Sequence, residues 1–197
     1  MTIKEKAKSR GRPRSFDEDA ALSAAQALFH QHGYDGVGVA ALAQAMGINP
    51  PSLYAAFGDK AALFDRVLAR YARDALPVDE ILAPGTPPAA ALTELLRTAA
   101  RIYAANPAAP GCMVLEAARG ADAIAAAQAR CWKDKSVDRV RDYLTPDHPD
   151  QALPVADYMV AVMSGLSSDA RDGKPIERLL AIADMAGLAL EAALAQP

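Results

Sequence analysis

The chain of 197 residues contains only two cysteines, and aromatic residues make up 6% of it. Cys112 and Cys131 are too few for a disulfide scaffold and lack the paired spacing of a zinc site. No apolar run approaches the roughly 20 residues that a bilayer-spanning helix needs, so the expected location is the cytoplasm. Phosphate-binding glycine loops, Gly-x-Ser-x-Gly and His-Glu-x-x-His are missing too, which argues against an enzyme and predicts no metal or cofactor site.

The residues that are abundant favour an all-α protein. Hydrophobic residues make up 52% of the chain, alanine and leucine dominate, and the alternation typical of strands is scarce. Charge is distributed unevenly, since six lysines and arginines against one glutamate give residues 1–14 a charge of +5. The total of −3 then leaves −8 for the other residues. A basic arm, residues 1–14, on an acidic body is typical of a protein that meets a polyanion at one end.

The stretch 38–58 has the pattern of two helices joined by a tight turn. Gly47 can stop the first helix by adopting a positive φ, Asn49 can cap the second, and Gly58 ends it. The apolar residues of the first helix recur at helical spacing, at Val39, Leu42, Ala43 and Met46. Two short helices around a glycine also occur in proteins that never contact DNA, but the second helix is short enough to lie in a major groove.

The residues within this pattern are more specific than its periodicity. Ala-Leu-Ala-x-x-x-Gly-Ile over 41–48, followed by Ser-Leu-Tyr-x-x-Phe-Gly-x-Lys-x-x-Leu over 52–63, resembles the DNA-binding domain of the TetR/AcrR family of bacterial transcriptional regulators. The resemblance extends back to Phe16. It implies an all-α fold in which residues 15–75 form a three-helix, helix-turn-helix DNA-binding domain. Residues 76–197 would form a helical domain for effector binding and dimerisation, and residues 1–14 a flexible arm.

The resemblance also implies which residues contact an operator in double-stranded DNA. The helix over 50–57 would be the recognition helix, while Tyr54 and Lys60 would contact phosphates. Arg10-Gly11-Arg12-Pro13 matches the core of an AT-hook, although a solubilising or phosphate-attracting tail is the alternative. The full set of predicted DNA-binding residues is Arg10, Arg12, Arg14, Asn49, Pro50, Pro51, Ser52, Tyr54 and Lys60.

Three residues depart from the usual family pattern and remove polar contacts. Val37 and Gly38 stand where hydroxyl residues often cap the second helix, and Ala56 stands where a histidine is common. We therefore expect the chain to depend more on its basic arm and on Tyr54 and Lys60. Leu53 and Phe57 are predicted to be core.

Further helices are predicted over 17–32, 59–75, 89–105, 122–144, 155–171 and 175–194, and the family uses the last two for homodimerisation. Two apolar stripes on these two helices are expected to form both core and dimer interface. By the same resemblance, the middle helices enclose a small-molecule pocket. Its candidate lining is Tyr103, Met113, Leu115, Trp132, Tyr158, Met159 and Met163.

The predicted function is that of a regulator of transcription, a repressor that binds a near-palindromic operator as a homodimer and is released by an effector. Three alternatives stay open at this point. One is a DNA-architectural protein in which the AT-hook-like arm dominates. Another is a redox-sensing regulator in which Cys112 and Cys131 respond to oxidants. The third is a helical interaction protein with a vestigial helix-turn-helix.

Overall fold

The computed structural model describes residues 17–195, and every regular element among them is an α-helix. The all-α prediction is therefore confirmed. Within these residues no helix is long and apolar enough to cross a membrane. The ten helices are α1 (Glu18–His32), α2 (Val39–Ala45), α3 (Pro50–Phe57), α4 (Lys60–Asp74), α5 (Val78–Ile81), α6 (Pro88–Ala105), α7 (Met113–Ala117), α8 (Ala123–Leu144), α9 (Pro149–Arg171) and α10 (Ile176–Leu194).

Local signals place the boundaries of the first three helices. Asp17 caps α1 by accepting a hydrogen bond from the amide of Ala20 at 3.1 Å. Gly47 has a φ of +67°, which allows the sharp turn after α2. Asn49 then caps α3, because its Oδ1 accepts from the amide of Ser52 at 2.8 Å. The predicted helix, turn and helix are confirmed.

The core of this first unit is aromatic and is completed by α4. Phe29 of α1 lies edge-on to Phe64 of α4, with ring centroids 4.9 Å apart, and Tyr34 packs against both rings. Arg66 and Arg70 of α4 pair with the acidic first turn of α1. Helix α4 also contacts α7 and α8, so it joins the first three helices to the rest of the molecule. Its buried residues are Leu63, Phe64, Val67, Leu68 and Tyr71.

Helices α6, α8, α9 and α10 form the larger bundle. Helix α6 packs against both α9 and α10, and α8 packs along α9. The approach of α10 to α6 is close at Gly187, where an added Cβ would lie 2.8 Å from Thr93 side-chain atoms. Buried Ser167 of α9 donates to Glu116 and accepts from the amide of Cys112, which connects α9 to both ends of α7.

Two boundaries differ from the sequence prediction. Helix α9 begins at Pro149, six residues before the expected start at 155, and it contains Pro154. Pro149 fits because an amide N–H in the first turn of a helix has no intrahelical acceptor, so its absence costs no hydrogen bond. Pro154 removes one hydrogen bond, close to the exposed start of the helix. The short helix α5 lies between the helices predicted over 59–75 and 89–105, where no helix was expected.

Much of the two apolar stripes on the last helices is monomer core. Buried positions include Val155, Met159, Leu166, Leu179, Ala183, Ala186 and Leu190. The apolar residues that remain exposed on α9 and α10 are a different set, to which Tyr158, Met185 and Leu188 belong. The helical stripes therefore predicted many of the buried residues of α9 and α10 but not their exposed apolar residues.

Candidate nucleic-acid interface and cavity

Helix α3 has one face in the core and the other in solvent. Leu53 is fully buried and Phe57 is 5% exposed, whereas the next residue after Leu53, Tyr54, is 51% exposed. The four predicted contact residues from Asn49 to Ser52 are exposed as well. The core thus anchors a helix whose first turn and Tyr54 hydroxyl are open to a ligand, a geometry suited to entering a DNA groove.

Lys60 begins α4, directly after the turn that ends α3. Its ammonium lies 3.9 Å from the ring centroid of Tyr34, so the ring holds this cation in place. Asp59 caps α4 and accepts from the amide of Ala62 at 2.7 Å. The supporting role of Tyr34 had no signal in the sequence. Arg10, Arg12 and Arg14 lie outside the described residues.

A cavity of about 100 Å³ opens among α4, α6, α7, α8 and α9. Five of the seven predicted pocket residues line it, namely Tyr103, Leu115, Trp132, Met159 and Met163. The other two lie elsewhere. Met113 borders a separate cleft between α1 and α7, and Tyr158 lies on the exposed surface of α9 and α10. Both residues sit one or two positions from a lining residue, which places their side chains on another side of the helix.

Two tyrosine hydroxyls and one thiol lie together at the wall of the cavity. The hydroxyls of Tyr71 and Tyr103 hydrogen-bond the thiol of Cys112, as do the amides of Val114 and Leu115. Burial nevertheless raises the pKa of the Cys112 thiol, and it raises the pKa of both tyrosines. All three groups are therefore neutral near pH 7, and a neutral thiol is a poor nucleophile.

Cys131, the other cysteine, is exposed on α8, and neither cysteine forms a disulfide. No group of three or more histidine, cysteine or acidic residues among residues 17–195 is arranged to hold a metal ion. Redox sensing by the two cysteines stays a prediction, to which the burial of Cys112 adds no support.

Two residues connect the cavity to α1. Tyr71 lines the cavity and packs edge-on against His30, with ring centroids 5.4 Å apart. His30 Nε2 donates to the carbonyl of Gly111 at 3.0 Å, and Gly111 directly precedes Cys112. Burial lowers the pKa of His30, so the imidazole is neutral at pH 7.

The comparisons with known proteins agree with this arrangement. A model of bacterial regulatory proteins of the tetR family matches residues 21–67, which span α1 to the middle of α4. The HTH-type transcriptional repressor BdcR of Escherichia coli K12 is 46% identical over 195 residues, which cover 98% of this chain and 99% of BdcR. The chain belongs to the TetR family of bacterial regulatory proteins. Helices α2 and α3 are accordingly the helix-turn-helix of a DNA-binding regulator of transcription.

Two further relatives extend the comparison. The repressor ComR of the same organism is 31% identical over 189 residues, covering 89% of this chain and 90% of ComR. The solved structure of the TetR-family regulator CifR, a cysteine mutant complexed with a 26-base-pair operator, is 33% identical with a TM-score of 0.82. It covers 90% of this chain and 99% of CifR. These relatives are regulators of transcription, and the resemblance found in the sequence is confirmed.

Proposed function

We propose that this TetR-family chain is a transcriptional repressor that binds a near-palindromic operator as a homodimer and leaves it when a small molecule fills the cavity. The observation that carries the proposal is the one-sided burial of α3, with Leu53 in the core and Tyr54 half exposed. BdcR and ComR are repressors, and CifR has been solved on its operator, which supports the same role here.

The proposed DNA contacts follow from the chemistry of the exposed residues. Asn49 and Ser52 at the start of α3 can hydrogen-bond base edges or phosphates, and Pro50 and Pro51 fit against the groove wall. The Tyr54 hydroxyl can donate to a phosphate oxygen, and Lys60 adds a positive charge beside it. Arg10, Arg12 and Arg14 supply charge for a minor-groove or phosphate contact.

The proposed dimer surface is the exposed apolar face of α9 and α10. Tyr158 is 37% exposed, Met185 is 67% exposed and Leu188 is 59% exposed, although all three lie on helices with buried opposite faces. Nothing lies within 4 Å of a Cβ placed on Gly165, so this face leaves room for a second helix to approach. Two-fold pairing there would place two copies of α3 on one duplex, as a palindromic operator requires.

The proposed release mechanism runs through Tyr71. Because Tyr71 touches both the cavity and His30, a molecule that displaces its ring would also move α1 relative to α7. Helix α4 carries Tyr71 and packs against α1, so its tilt would change the separation of the two recognition helices. A molecule that binds the released shape about tenfold more tightly shifts the equilibrium by about 1.4 kcal/mol.

The first experiment is selection of the purified chain against a random duplex library near physiological salt, with and without residues 1–14. We expect both forms to enrich a two-fold symmetric site, and the full chain to do so more strongly. Enrichment of A·T-rich sequence alone, lost with the arm, would instead support the architectural alternative.

Dimerisation is tested by sedimentation of Met185→Asp. We expect the variant to sediment as a monomer and to lose operator binding, because a carboxylate would be buried in the apolar contact. Leu153→Asp is the matched control, since Leu153 is a similarly exposed apolar residue of α9. It lies on a different side of that helix from Tyr158, which belongs to the proposed dimer surface. A dimer that survives Met185→Asp would place the interface elsewhere.

A further inference from the structure

The charges that line the cavity are all of one sign. Lys133 and Arg139 of α8 border it, and no aspartate or glutamate is among its lining residues in the described part of the chain. This is unusual in a protein whose residues after the arm carry a charge of −8. The charged side chains that line the cavity are therefore cations alone, although the body of the protein is acidic.

The other polar groups of the wall already have partners. The hydroxyls of Tyr71 and Tyr103 are bonded to the thiol of Cys112, and the Ser136 hydroxyl donates to the carbonyl of Trp132 at 3.2 Å. The rest of the lining is apolar, apart from the two cations and the indole N–H of Trp132, which donates to Asp65 at 3.4 Å. A molecule inside the cavity thus meets an apolar wall that demands no further hydrogen bond.

The two cations are only partly compensated. Arg139 pairs with Asp79 of α5, whose side chain is 93% exposed, so water also competes for that carboxylate. The ammonium of Lys133 is 4.0 Å from Asp134, its neighbour in sequence, and the Lys133 side chain is 34% exposed. Both cations can therefore exchange a weak surface partner for an anion that arrives with a ligand.

From the apolar wall and the two weakly paired cations we infer that the cavity binds an amphipathic carboxylic acid. The apolar body of the acid would lie among the residues of α4, α6 and α9, and its carboxylate at Lys133 and Arg139. The inference rests on the proposed function for the existence of an effector and adds its chemical class. Burial of the hydrocarbon supplies affinity, and the charge selects carboxylates over alcohols and amines of the same shape.

The chain provides its own reporter. Its single tryptophan, Trp132, lines the cavity, with the Lys135 ammonium 3.7 Å from its ring centroid. Tryptophan emission is measured while the full chain is titrated with octanoate, 1-octanol or octylammonium. A second set, 3-phenylpropanoate, 3-phenylpropanol and 3-phenylpropylammonium, replaces the chain by an aromatic body. We expect the carboxylate of at least one set to bind about tenfold more tightly than its alcohol.

Variants locate the selectivity. Lys133→Gln is expected to weaken carboxylate binding about fivefold or more and to leave alcohol binding unchanged, because only the charge is removed. Arg130→Gln is the matched control, since Arg130 is a cation of the same helix that does not line the cavity and instead donates to the carbonyl of Ala118. Selectivity that is equal in both variants would overturn the assignment of the carboxylate to Lys133.

Two readings separate this inference from the proposed function. Equal affinity for carboxylate and alcohol, or no response of Trp132 emission to either carboxylate at millimolar concentration, overturns the inference. Release of a fluorescent operator duplex is followed in the same titrations by anisotropy. Carboxylate binding without release would support the ligand class and contradict the effector role. Release by alcohol and carboxylate alike would support the effector role and contradict the ligand class.

Discussion

Leu53 and Tyr54 are consecutive residues of α3, and their substitutions should separate folding from recognition. Leu53 has no exposed surface. Truncation of a buried leucine to alanine costs about 2–5 kcal/mol, so Leu53→Ala removes a large part of a stability that is typically about 5–15 kcal/mol. For a chain of this length, a loss of about 3 kcal/mol corresponds to a fall in the melting temperature of about 6–12 °C.

Tyr54→Phe removes one hydroxyl from a ring that is 51% exposed. A surface change of this kind alters the free energy of unfolding by no more than about 0.5 kcal/mol. A hydrogen bond to a charged group is worth about 1.5–3 kcal/mol, so loss of the proposed phosphate contact should weaken operator binding at least about tenfold per subunit. Leu53→Ala is thus expected to lower the stability, whereas Tyr54→Phe is expected to lower the operator affinity and leave the stability nearly unchanged.

Both quantities are measured on the same preparations, unfolding by urea titration of the helical circular dichroism and operator binding by anisotropy. Leu53→Ala should lower the unfolding midpoint and recover operator binding as the temperature is reduced. A Leu53→Ala protein of unchanged stability that still fails to bind would refute the assignment of Leu53 to the core. Unchanged affinity in Tyr54→Phe would refute the phosphate contact.

Four further predictions concern other parts of the chain. Gly187→Ala should lower the melting temperature, with a cost of about 1–3 kcal/mol from overpacking, and Thr93→Ala in the same chain should restore it, because the added methyl group would lie 2.8 Å from the threonine side chain. Gly38→Ser should stabilise the chain by a few tenths of a kcal/mol in urea titrations, since α2 has no side-chain cap; a hydroxyl there should also tighten operator binding. The free energy of unfolding should fall as the pH drops below 6.5, because the lowered pKa of His30 means that the unfolded chain takes up the proton first, and His30→Gln should flatten that pH profile. Deletion of residues 1–14 should weaken operator binding and reduce its dependence on salt; an unchanged salt slope would show that the arm makes no phosphate contact.

The sequence was most informative where local chemistry determines structure. Gly47 and Asn49 act through their own backbone and side chain within a few residues, so the turn and cap of the helix-turn-helix were predictable. The start of α9 was not, because proline is normally a reason to end a helix and its tolerance at Pro154 depends on the tertiary packing of the residues that follow.

The cavity shows the same limit. Trp132 and Met159 were predictable candidates because large apolar residues on the middle helices pack against a neighbouring helix or line a cavity. Tyr71 and the pair Lys133 and Arg139 were not found, since their importance depends on which helix lies opposite them. Helical periodicity gives the direction of a side chain relative to its own helix, but not the identity of the neighbour it meets.

The position of α4 between the cavity and α1 has a consequence for how such a regulator can diversify. Within the described residues, the lining of the cavity draws nothing from α1, α2 or α3, and α4 both contributes to the lining and packs against α1. If the cavity binds an effector as proposed, substitutions in α6, α8 and α9 can change which molecule binds without altering a residue of α3. Such a regulator could then acquire a new effector and keep its operator, provided that Tyr71 and α4 still pack against both the cavity and α1.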